Sequence, residues 1–216
     1  MLSASRRTRV FATSLAVTAI LLGGCTLAPP GEAPDPETPV LDVAAVALPE
    51  GDVTAPGSAL ALGAPAWLPA ATLGGEAREV GFSVLGVTVG EDSFWNDFEN
   101  AEEFAGDTPY FVFVQVHDSS PVGEGAFSPA DMLWPIHADG TSGFRIQNQT
   151  IGIAVIECPD FTISGSYGPG DTVECFVAVG DGQPIAGASY AGRFANNRTA
   201  PGGEPYAAAP VTWLAP

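Results

Sequence analysis

The chain has 216 residues, of which 25 are acidic and seven are arginine, with no lysine, giving a formal charge of −18 at pH 7. Such an excess of carboxylates excludes a nucleic-acid partner, because phosphate binding needs a basic face. The lack of lysine excludes Schiff-base chemistry and lysine-bearing phosphate loops. The length suits one domain of ordinary size with an attached segment.

Arg6, Arg7 and Arg9 make a positive opening, and Val10 to Leu22 is uncharged and mostly Ala, Val, Leu, Ile and Thr, as in a signal-peptide h-region. A helix over that run would reach about 20 Å, short of a hydrocarbon core of about 30 Å, so a permanent membrane span is not expected. The run closes on Leu22-Gly23-Gly24-Cys25. This tetrapeptide resembles the bacterial lipobox, in which small residues precede a cysteine that receives diacylglycerol, the peptide is cut before it, and the new amino group is often acylated. The resemblance implies a signal peptide over 1–24, a mature chain that begins at Cys25, and a lipid anchor on Cys25 at the extracellular face of the cell membrane. Two chains on one residue make such anchoring stable. An ordinary secretory peptide with an incidental cysteine is the alternative. Arg6-Arg7 also invites a twin-arginine reading, but Arg9 stands where apolar residues are expected, and the export route stays open. Beyond residue 24 lie all 25 acidic residues and only Arg78, Arg145, Arg193 and Arg198, a formal charge of −21. That charge solvates a tethered protein and keeps it off anionic headgroups.

With Cys25 given to lipid, Cys158 and Cys175 remain, and an exported chain tends to pair such cysteines. The bridge would enclose 16 residues, for which chain entropy gives about 3 kcal/mol. Two thiols and two distant histidines are too few for zinc, and neither a metal nor a cofactor is expected.

Residues 26 to 56 mix proline, alanine and acidic residues without sustained periodicity (Pro29-Pro30, Pro34-Asp35-Pro36, Leu48-Pro49, Ala55-Pro56) and read as an extended stalk. Residues 57–75 are more apolar, and Trp67 raises the question of docking onto the domain. From Arg78 the pattern alternates: Val80, Phe82 and Val84, then Val87 and Val89, predict a first strand with a bulge at Gly86. Residues 91–107 are acidic with Phe94, Trp95, Phe98 and Phe104 interspersed, and fit one or two helical turns or an ordered loop. Tyr110 to Val116 is apolar on both faces until Gln115, which predicts a central strand.

Asp131 to His137 predicts a strand with Asp139-Gly140 as its turn; Phe144 to Gln147 and Ile151 to Ile156 predict two more. Tyr167-Gly168-Pro169-Gly170-Asp171 is a turn cluster feeding the strand Val173 to Val179, which places Cys175 on one face with Val173, Val177 and Val179, expected to point into the interior. Ile185 to Phe194 and Val211 to Leu214 complete seven or eight short strands, the spacing of an antiparallel β-sandwich. The strand Tyr110 to Val116, the Gly168-Pro169-Gly170 turn and the closing Val211-Thr212-Trp213 resemble the telokin-like, immunoglobulin-type domain attached to lipoproteins of Gram-positive bacteria. The resemblance covers about 78–214 and implies an immunoglobulin-like fold and a surface address, with no active site.

The candidate constellations are sparse. His117 with Asp118 and His137 with Asp139 offer a base beside an acid, and polar turns explain them equally well. Ser164-Gly165-Ser166-Tyr167-Gly168 lacks the first glycine of a nucleophile elbow and reads as a turn. Asp92, Asp97, Glu99, Glu102, Glu103 and Asp107 offer oxygen ligands for calcium without the spacing of a calcium loop. The expectation is therefore a monomeric, all-β domain over 78–216 on a stalk over 25–77, a non-enzymatic binding module facing a cell-wall or extracellular protein partner. The alternatives are a cell-wall hydrolase with an unlocated acidic site and a passive envelope protein.

Overall fold

The computed structural model describes residues 41–47, 51–71, 77–98, 101–117, 128–146, 161–164, 170–194 and 197–216. It is an all-β fold with eleven strands among the described residues, β1 (Leu41–Ala44), β2 (Ala59–Ala61), β3 (Pro65–Ala71), β4 (Ala77–Val89), β5 (Thr108–His117), β6 (Leu133–His137), β7 (Phe144–Arg145), β8 (Phe161–Ser164), β9 (Asp171–Gly180), β10 (Ile185–Tyr190) and β11 (Val211–Leu214). A five-stranded sheet runs in the order β3-β4-β5-β9-β7 and a four-stranded sheet in the order β2-β11-β10-β6, while β1 pairs with β8. All pairings in the five-stranded sheet are antiparallel; β2 with β11 and β1 with β8 are parallel. One short helix, α1 (Glu204–Ala208), precedes β11, and no described helix is long and apolar enough to cross a membrane.

The two sheets share one core. Leu68, Val80, Phe82, Val84, Val112, Val114, Val116, Phe176 and Ala178 meet Leu133, Ala188, Tyr190, Val211 and Trp213, the inward members of strands with period two. In β4 the register slips between Val84 and Gly86. This bulge at the expected place puts both Val84 and Val87 against the core and turns Leu85 outward. β5 is central, as its sequence predicts, because its outward side is covered too: Phe111 and Phe113 join Val43, Trp95, Ile146, Val177 and Val179 in a second buried cluster. Phe94 and Phe104, from two 3-10 turns over 92–97 and 101–104, and Phe98, which caps the first turn, close that cluster, with Trp95 stacked on Phe104.

That second cluster corrects one expectation. Cys175 packs on the outward cluster with Val177 and Val179, while Phe176 and Ala178 supply the inward face of β9. Alternation was right but its sense was reversed, because both faces of this strand are apolar and period alone cannot say which is inner. Cys158, the strand expected over 151–156 and most of the 167–171 turn lie outside the described residues.

Three strands come from sequence expected to be stalk or its junction. β2 and β3 are sheet members and β1 lies on the second cluster, so the folded part starts well before residue 78. Prolines hid β3: Pro65 and Pro69 sit in this outermost strand, as Pro135 sits in β6, another, and an outermost strand can lack an N–H on its open side, which also blocks further pairing. The segment is held by side chains from the far end of the chain. Trp213 Nε1 donates to Ala64 O at 2.7 Å and Tyr206 Oη to Thr54 O at 2.7 Å; Tyr190 Oη donates to Pro69 O. All three rings are almost wholly buried, and burial raises both phenol pKa values, which keeps them donors. Thr54 is a node: its N–H donates to Trp67 O at 2.8 Å and its hydroxyl accepts from Trp67 N at 3.1 Å. Against β11, β10 needs glycine at 187, where a Cβ would stand 1.8 Å from Trp213 O.

Tyr206→Phe removes one such bond while keeping the ring. The expected loss is about 1 kcal/mol, a fall in Tm of about 2–4 °C at this size, read by thermal melting; an unchanged Tm would show that the tether carries no stability.

Candidate functional site

The most distinctive polar group among the described residues lies on the outward face of the five-stranded sheet, where β4, β5 and β9 run side by side. In register, Ser83 stands opposite Gln115, which stands opposite Val173; one step along, Gly81 stands opposite His117, which stands opposite Asp171. These residues share a face because strand side chains alternate, and Val116 and Val114 take the other side.

His117 Nδ1 is 2.7 Å from Asp171 Oδ1. A carboxylate only accepts, so Nδ1 carries the proton and Nε2 presents its lone pair. Nε2 is buried and has no hydrogen-bond partner among the described residues, and the same holds for Ser83 Oγ. Burial lowers the His117 pKa below its ordinary 6.5, with the charge and hydrogen bond of Asp171 opposing, and the ring is neutral at pH 7. Gln115, fully buried, donates from Nε2 to Asp171 Oδ2 at 3.4 Å and clamps one backbone residue: Oε1 accepts from Val46 N at 2.8 Å and Nε2 donates to Val46 O at 3.0 Å. The row thus runs from the backbone after β1 through Gln115 and Asp171 to His117.

A second buried charge group lies nearby on the sheet's other side. Arg145 donates to Ala130 O, Leu133 O and Asp131 Oδ1, each at 2.7 Å, and lies 4.2 Å over the Phe176 ring. Ser128 caps the adjoining 3-10 turn by accepting from Ala130 N at 3.0 Å and donates to Glu174. Burial raises the Glu174 pKa and lowers that of Arg145, with Asp131 and Glu174 opposing. These contacts fasten the turn over 129–132 against β7 and β9.

The expected pairs are rearranged. His117 takes Asp171, which the sequence places 54 residues away in a turn cluster, while Asp118 lies outside the described residues. His137 makes a 3.2 Å contact from Nδ1 to Pro184 O, with Asp181 3.7 Å from Nε2. Asp139 serves its own turn, accepting from Thr141 N at 2.9 Å and Thr141 Oγ1 at 2.6 Å, and those bonds lower its pKa. Of the acids in 91–107, Glu99 lies outside the described residues. No group of three or more His, Cys, Asp or Glu placed to hold a metal ion occurs among the described residues. Of Ser164 to Gly168, only Ser164 is described, at the end of β8. Gln115 and Asp171 were missed as site residues, although one signal was present: Gln115 and His117, two apart, are the polar members on one face of an otherwise apolar strand.

Comparison of the chain with protein-family models, with curated proteins and with solved structures finds no match.

Because the folded state favours the neutral His117 ring, the unfolded chain binds the proton first. Its contribution to stability is full above about pH 6.5 and is lost as pH falls from there through the lower folded-state pKa. Glu174, with a raised pKa, slopes the other way: its contribution is fullest below its ordinary 4.5 and declines as pH rises. His117→Gln removes only the first. Melting curves between pH 7.5 and 5 should show the parent losing Tm relative to the variant as pH falls; parallel profiles would contradict the account.

Proposed function

We propose that the protein is an envelope lipoprotein, tethered through lipid on Cys25 and a proline-rich spacer, that presents an acidic immunoglobulin-like sandwich of the telokin-like type as a binding module for a cell-wall or extracellular protein. The observation that carries this reading is Leu22-Gly23-Gly24-Cys25 at the end of a short apolar run behind three arginines. Cys25 and the spacer up to residue 40 lie outside the described residues. Two sheets of mainly antiparallel strands packed over one core support the sandwich, and the turn feeding β9 and the closing Val211-Thr212-Trp213 support the immunoglobulin-type assignment. The first described strand begins 16 residues beyond Cys25, and the intervening prolines favour an extended path of about 3.1 Å per residue.

Hydrolysis is the second reading, and His117 with Asp171 favours it, since a neutral ring oriented by a carboxylate is the arrangement of a general base. His117 is only 6 % exposed, so a substrate would reach Nε2 only after its cover moved. Binding needs fewer assumptions.

Cys25→Ser should abolish detergent-phase partitioning and the lipid mass on the mature chain. Unchanged partitioning would remove the anchor from the account.

The proposal includes a bridge between Cys158 and Cys175, which would tie the outward face of β9 to the chain before β8. Thiol titration of the denatured, unreduced domain should find neither cysteine reactive, with reduction adding the mass of two hydrogens and lowering Tm. Two reactive thiols per chain would refute the bridge.

A further inference from the structure

The row of Ser83, Gln115, His117 and Asp171 already carries a stretch of polypeptide. Gln115 holds both the N–H and the C=O of Val46, and Val43, three residues before, is buried among the outward aromatics. A carboxamide that meets one residue's donor and acceptor reads backbone rather than side chain. Its hold is therefore indifferent to which chain supplies the strand.

The fit of the resident segment is incomplete. Ser83 is fully buried and His117 is 6 % exposed, yet Ser83 Oγ and His117 Nε2 have no hydrogen-bond partner among the described residues. Native proteins rarely leave buried polar atoms so, because each has lost water without replacement. The resident segment offers only alanine and valine side chains from Val43 to Ala47, and none of these can bond to either atom.

We propose that this patch is a binding site for an extended polypeptide strand of a partner protein, one that carries a hydroxyl or carboxamide side chain, replaces residues 45–47 on Gln115 and hydrogen-bonds to His117 and Ser83. Nε2 accepts only, and Ser83 Oγ both donates and accepts, so a neutral side chain with a donor serves both. A charged donor would have to be buried there at a desolvation cost. The resident segment acts as a stand-in that covers the site until a better-matched strand displaces it. This inference rests on the binding-module reading and names its site and partner chemistry.

The two histidines make the test direct, since His137 lies elsewhere and serves as an internal control. Full-length protein is titrated with a nine-residue peptide copying 39–47 and with versions carrying Ala45→Ser, Ala45→Asn, Ala47→Ser or Ala47→Asn, while imidazole resonances are followed by NMR. At least one hydroxyl or carboxamide peptide should shift His117 and leave His137 in place, and should bind about tenfold more tightly than the parent peptide, a preference lost in His117→Phe. Val46→Pro in the protein, which removes the N–H that Gln115 holds, should strengthen peptide binding. Equal affinities for all peptides, or His117 resonances unmoved at millimolar peptide in both the parent and Val46→Pro proteins, would overturn the proposal. If His117 stays unmoved while the intact domain still captures an envelope protein directly, the site is wrong and the binding reading survives.

Discussion

Three aromatic donors near the C-terminus, Tyr190, Tyr206 and Trp213, each place a polar tip on a carbonyl between Thr54 and Pro69. This is where the fold is closed. Each ring fills the core while its N–H or O–H satisfies a backbone group that an irregular or outermost strand would otherwise leave unmet. Without the tethers, β2 would keep its parallel pairing with β11, and β3 its pairing with β4, its bonds to Thr54 and the burial of Leu68. With them, the segment from Thr54 to Pro69 is tied to the sheets by side chains as well as by strand pairing. Thr54 concentrates the effect, since its N–H, C=O and hydroxyl are all engaged.

Burial of β5 on both faces sets where the chemistry lies. The inward side is filled by Val112, Val114 and Val116. The outward side is apolar at Phe111 and Phe113 and polar at Gln115 and His117, so one strand passes from a hydrophobic cluster to a hydrogen-bonded row within two turns of the pleat. Segment 41–47 spans that boundary, with Val43 on the apolar part and Val46 on the polar part. Among the described residues, it meets the body through Val43 in the outward cluster and Val46 on Gln115, and it pairs with β8.

Much of the fold was legible. The change of parity between Val84 and Val87 announced the bulge, and the doubly apolar run before Gln115 announced the central strand. Proline obscured β3, because composition reads Pro65 and Pro69 as linker whereas an outermost strand accommodates them. The site was only half legible. His117 stood out by rarity, but its partner came from β9, and pairing between remote strands leaves no local trace in sequence. Nor does the reversed sense of Cys175, since a strand covered on both sides has no polar face to mark its outside.

Native-state hydrogen exchange tests the claim that the body begins at Thr54 and that the segment before it is separately held. The amides of Thr54, Gly63 and Trp67 should exchange with the free energy of global unfolding, while that of Val46 exchanges through a smaller, local opening. Val46 protected to the global limit, or Thr54 and Trp67 exchanging through local opening, would contradict the account.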